Sequence, residues 1–218
     1  MSTLVSGLLT LDRSHTESIQ EHNDHVVDNL LASLPHAELL SAIERRGIIA
    51  RYTAVLEGNF IYWMTGAYLS VGSEEARSGI IDNLTEEVRD SHPAMLRRFA
   101  TAAAALPTDS DALAVQRDLL NVRLFIGRLS PVPIVAMMAF FEGFIQRFMP
   151  YLADLAQSQG SVEMEYTDVH GVCDIAHTQG LYRALEAEMA LANGDREHID
   201  LFEGVNLLQA LLQKIMNG

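Results

Sequence analysis

Apolar residues recur at intervals of three and four along nearly the whole chain, and no stretch alternates apolar and polar residues long enough to read as a strand. A chain with only this period buries its apolar faces by packing helix on helix. The fold class expected is therefore all-α. The 218 residues are 49% hydrophobic, enough for one sizeable core. No repeat, low-complexity segment or linker divides them, so one domain over residues 1–218 is the economical expectation.

Local signals set the expected helix limits. Ser14-His15-Thr16-Glu17 reads as a capping box that opens a helix running to about Leu34. Pro35 suits a first helical position, and Gly47 is expected to end the second helix. A third segment spans Ile48 to Val71 and breaks at Gly72-Ser73. Ser73 caps a helix that stops near Asp90, because Pro93 disfavours helical geometry at His92. A short helix reaches Leu106, and the next runs from the Pro107–Ser110 turn to about Leu129. Ser130-Pro131-Val132-Pro133 restarts the chain into an apolar helix that Pro150 should kink or break. Gly160-Ser161 opens a long helix ending at Asn193-Gly194, and Asp195 caps the last one.

Three segments depart from a plain amphipathic pattern. In Tyr166 to His177, residues His170, Asp174 and His177 stand at i, i+4 and i+7 and share a face within roughly 60° of helix rotation. Imidazole nitrogen and carboxylate oxygen on one stripe suit iron, manganese or zinc; a solvated polar face is the plainer explanation. Glu142 stands alone among apolar residues, with no charged neighbour from Ile134 to Gln146. A buried carboxylate there needs a cation, a buried arginine such as Arg147 or Arg123, or local exposure to water. The third segment, Asn83 to Pro93, carries Glu87 and His92. Their spacing of five separates them by about 140° on a straight helix, so His92 meets Glu87 only if the helix unwinds at the His-Pro junction. Three carboxylates and three histidines are more than one zinc ion needs and suit two iron or manganese ions.

Composition excludes other classes. A formal net charge of −14 argues against nucleic acid and against anionic membrane surfaces. One cysteine, Cys173, permits no intrachain disulfide. No positively charged segment with an apolar core opens the sequence, so a cytoplasmic location is expected. The longest apolar run, Pro131 to Phe141, is too short to span a bilayer.

In order and content, these segments resemble the heme-oxygenase-like diiron oxidases and oxygenases. The pattern is Glu87 and His92 around an Asn-Leu…Glu…His-Pro stretch, then Glu142 on a later apolar helix, then His170-x-x-x-Asp174-x-x-His177. The wider scaffold, shared with thiaminase-like and pyrroloquinoline-quinone-synthase-like proteins, is similar over most of the chain. The resemblance implies a bundle of about seven helices, two iron ions held by Glu87, His92, Glu142, His170, Asp174 and His177, and O2 as co-substrate. Glu86 is an alternative to Glu87, and Glu57 or Asp90 a further candidate carboxylate. It also implies a small-molecule substrate and, as a family expectation, a homodimer. Within the family the chain looks most like the azetidine-forming branch, which implies oxidation of a small aliphatic amino acid at an unactivated C–H bond, by desaturation or ring closure, in natural-product biosynthesis. Oxidative decarboxylation of a fatty acid, or N-oxygenation, is the alternative. Tyr62, Trp63 and Phe141, within an aromatic set that includes Phe60 and Ile61, are candidates to line an apolar substrate pocket. Ferritin-like diiron bundles need Glu-x-x-His pairs, and this sequence has none. Three rivals remain: a metal-free thiaminase-like enzyme using Cys173, a heme protein using His22 or His25, and a non-enzymatic, homodimeric binding protein.

Overall fold

The computed structural model describes residues 2–192 and 200–218, with side chains from His15 onward. The α-helices are α1 (Ser2–Ala32), α2 (Ala42–Leu56), α3 (Asn59–Ser70), α4 (Glu74–Arg89), α5 (His92–Ala102), α6 (Asp109–Ile126), α7 (Pro131–Ser158), α8 (Glu165–Leu191) and α9 (Glu203–Asn217), with a 3-10 turn at Ala37–Leu39. No strand occurs among the described residues. The all-α class holds, with nine helices among those residues where the resemblance implied about seven.

Helix α7 is the axis of the bundle. Its run from Val132 to Glu142 is buried on every face, and burial continues at Phe144, Ile145, Phe148, Met149 and Leu152. Helices α1, α2, α3, α8 and α9 all pack on it, and α4 packs on α8 and α3. By length and composition α7 resembles a membrane span, but 83% of its most apolar window is buried inside the protein. Pro150 neither ends nor splits the helix. It sits on the exposed side, where water can satisfy the carbonyl that its missing N–H leaves free.

Several boundaries differ from those expected. Ser14 does not open a helix: α1 runs unbroken from Ser2, because no proline stops the helix from extending back past the capping-box motif. Pro35 starts no helix either. The capping box that opens α2 is Ser41 with Glu44, each side chain bonded to the other's backbone N–H. Gly47 is buried within α2. The break falls instead at Gly58, whose φ of 86° favours glycine and separates α2 from α3. Helix α8 starts at Glu165 rather than at Gly160-Ser161. The Asn193-Gly194 stop and the Asp195 cap lie outside the described residues.

The break between α4 and α5 matters most for the site. Asp90 caps α4, Ser91 takes the left-handed conformation at φ 57°, and His92 opens α5 with Pro93 in its first turn. This reversal removes the 140° separation of a straight helix and returns His92 to the face of Glu87.

Helix α9 closes the end of the bundle through Val205, Leu208, Leu211, Leu212 and Ile215. It approaches α6 and α7 closely at Gly204, where an added Cβ would stand 2.6 Å from Phe125 Cε1 and 2.9 Å from Met137 Cβ. Gly204→Ala is expected to destabilise the fold by about 1–3 kcal/mol through overpacking, read as a lowered midpoint in urea unfolding at unchanged slope.

Candidate metal centre

Helices α4, α5, α7 and α8 converge on one buried cavity of about 20 Å³, close to the room one water-sized sphere needs. Glu87, His92, Glu142, His170 and Asp174 line it, with an apolar wall of Leu56, Phe60, Ile61, Leu96 and Ile145. His177 adjoins it through Asp174 and Glu142.

On one side Glu87 lies between two imidazoles. Its Oε1 is 2.6 Å from His92 Nδ1 and 3.8 Å from His170 Nε2. His170 Nδ1 donates to the Tyr166 carbonyl at 2.8 Å, one helical turn back, so Nε2 is the nitrogen turned inward. Burial pushes the Glu87 carboxyl upward, but His170 and His92 outweigh it, and the net shift is down. The same pairing raises His170 against the effect of burial.

On the other side His177 Nδ1 is 3.6 Å from Asp174 Oδ1 and 3.8 Å from Glu142 Oε2. Asn83 Nδ2 donates to Glu142 Oε1 at 2.7 Å. Two buried atoms here, Asp174 Oδ2 and His177 Nδ1, have no hydrogen-bond partner, a cost on the order of 1–3 kcal/mol each if nothing else satisfies them. Burial, and then the Asp174 charge, push Glu142 up to about 7. His177 rises to about 11, because Asp174 and Glu142 outweigh the opposing effect of burial.

Of the explanations open for Glu142, exposure and an arginine partner fail. Glu142 is 1% exposed. Arg147 pairs with Asp28, and Arg123 donates to Asn59 Oδ1. Among the described residues no lysine or arginine lines the cavity, although three carboxylates do. Their counter-charge is therefore a protonated histidine or a bound cation. Donors that share an ion at about 2.1 Å stand roughly 3–3.7 Å apart, close to the 3.6–3.8 Å separations around His177 Nδ1 and at His170. The donor set and the two orphaned atoms fit iron or a similar divalent ion.

The structure thus brings all six sequence candidates together. It separates the neighbouring glutamates: Glu87 faces His92 and His170, while Glu86 reaches His177 Nε2 at 2.8 Å. Glu57 and Asp90 do not join, being paired with Arg97 and Arg89. The proposed pocket aromatics are placed differently from expectation. Trp63 and Phe141 pack edge-on in the core, and Tyr62 is exposed beneath Arg123; Phe60 and Ile61 supply the wall instead. Helix rotation explains this, since Phe60 and Ile61 begin α3 beside the cavity while Tyr62 turns outward. Asn83 is a further site residue, and the signal for it is its position four residues before Glu87, on the same face of α4.

The rival chemistries find little support. The Cys173 thiol donates to Asp174 Oδ1 at 3.1 Å. Burial and the neighbouring carboxylates push its pKa upward, opposite to the needs of a nucleophile. His22 stacks on Phe202 and His25 contacts Asn29 at the surface; neither lines the cavity.

An all-α bundle that buries a nitrogen- and oxygen-rich centre beside an apolar cavity is the class this fold and site define. A family model described as iron-containing redox enzyme, of haem-oxygenase type, matches residues 49–211, and the chain belongs to that family. No curated protein matches the chain. No solved structure matches it either.

Proton linkage at the centre has a definite sign. Glu142 and His177 both bind protons more tightly in the metal-free fold than in the unfolded chain. The stability they contribute is full below their unfolded pKa values and is lost as pH rises through about 7 and then about 11. Cation binding must displace those protons. Ferrous iron added anaerobically to metal-free protein near neutral pH is expected to release protons and to bind more tightly as pH rises from about 6 to about 8. Calorimetry in buffers of different ionisation enthalpy reads both effects; uptake without proton release would contradict the assignment.

Proposed function

We propose that the protein is an O2-dependent non-haem oxidase whose two adjoining half-sites, Glu87/His92/His170 and Glu142/Asp174/His177, hold a pair of iron ions. The observation that carries this reading is the convergence of six nitrogen and oxygen donor side chains from four helices, five lining one small cavity and His177 adjoining it, with no described lysine or arginine in the lining. Iron bound there supplies dioxygen activation and one-electron steps. The chain's own residues orient and shield. Tyr166 fixes the His170 ring, Asn83 fixes Glu142, and the wall from Leu56, Phe60, Ile61, Leu96 and Ile145 keeps water away.

The substrate proposed first is a small aliphatic amino acid, oxidised at an unactivated C–H bond to an alkene or an azetidine. Dehydrogenation supplies half of the electrons that dioxygen needs to become water, so an external reductant supplies the rest. A fatty acid is the second reading, and one observation favours it. The cavity wall of Leu56, Phe60, Ile61, Leu96 and Ile145 is apolar and suits a hydrocarbon chain. A small molecule is the only partner this reading requires; a homodimer in the cytoplasm is compatible with it.

Metal-free protein given ferrous iron without oxygen is expected to take up about two equivalents. Oxygen consumption on admitting air should then be stimulated by the true substrate. His170→Ala should lower that consumption by more than about 100-fold. Full activity in a strong chelator, or in His170→Ala, would refute the reading. Amino acids and fatty acids screened side by side by oxygen electrode decide the substrate class.

A further inference from the structure

Glu86 and Glu87 are consecutive, and the roughly 100° turn between them sends their side chains to different histidines. Glu86 reaches α8, where its Oε2 is 2.8 Å from His177 Nε2. The opposite nitrogen of that ring, Nδ1, faces Asp174 and Glu142 at 3.6 Å and 3.8 Å and lacks a hydrogen-bond partner. The two nitrogens of an imidazole point in divergent directions, so a cation shared with Asp174 and Glu142 meets Nδ1 and lies on the far side of the ring from the Glu86 contact. Exposure agrees with this division: the Glu86 side chain is 43% exposed, those of Asp174 and Glu142 1–2%.

We propose that Glu86 is a positioning residue for the second half of the metal centre: it accepts the Nε2–H of His177 and so aims the Nδ1 lone pair at the ion that Asp174 and Glu142 share. This rests on the metal-centre reading above. His170 is arranged in the opposite sense, with Nδ1–H held by the Tyr166 carbonyl and Nε2 turned inward. Two histidines of one helix therefore present different nitrogens. The first is oriented within α8 itself. The second depends on a side chain from α4.

Zinc is a suitable probe, being diamagnetic and redox-inert. Wild-type metal-free protein is expected to bind zinc in two steps. Glu86→Ala should weaken one of the two steps by roughly 10–100-fold and leave the other unchanged, which also reports that the variant folds. Glu86→Gln keeps an acceptor oxygen for Nε2–H and should bind close to wild type. A Gln variant as weak as Ala would overturn the proposal, because it would make the negative charge, and hence direct ligation, the requirement. Nitrogen-15 correlation spectra of the zinc-loaded wild type give the second readout. A proton on His177 Nε2 supports the assignment, and a proton on Nδ1 overturns it. Two zinc steps with the proton on Nδ1 would remove the role of Glu86 and leave the metal centre standing. No uptake of zinc or ferrous iron would remove both.

Discussion

Three carboxylates around one buried cavity, with no described lysine or arginine beside them to neutralise them, are the constraint on which the rest of this structure depends. Each of Glu87, Glu142 and Asp174 is at most 5% exposed. Burying such charges unpaired costs on the order of several kcal/mol apiece. The fold meets this by surrounding them with histidines: His92 and His170 at Glu87, and His177 at Asp174 and Glu142. In the metal-free protein the carboxylates raise the proton affinity of His170 and His177; with a divalent ion present, the same groups become its donors.

The fold around the centre is arranged to hold these groups. Helix α7 carries Glu142 through the middle of the apolar core, and α8 runs against it so that His170, Asp174 and His177 face inward. Helix α4 supplies Glu87 and Asn83 on one face and Glu86 on the next. Backing contacts fix the rings and carboxylates: Tyr166 behind His170 and Asn83 behind Glu142. Such outer contacts set tautomer and orientation, and through them they tune metal affinity.

Much of the site was legible in the sequence for specific reasons. The i, i+4, i+7 spacing of His170, Asp174 and His177 survives in any straight helix, so their shared face followed from helix geometry alone. Glu142 stood out because a lone charge in an apolar run demands an explanation wherever the helix packs. The element limits were less legible. Ser14-x-x-Glu17 has the form of a capping box yet lies inside α1, while Ser41-x-x-Glu44 performs that role for α2. A capping motif marks a helix start only where the preceding residues do not continue the helix.

The sequence by itself determined the all-α class and the stripe of donors on α8, because both follow from the fixed rotation per residue of a helix. Tertiary structure decided which donors meet. The left-handed turn at Ser91 returns His92 to Glu87, and packing of α4 against α8 assigns Glu86 to His177 rather than to the cavity. It also turned Tyr62 outward and gave the cavity wall to Phe60 and Ile61. These outcomes depend on the relative placement of separate helices, which no local spacing encodes.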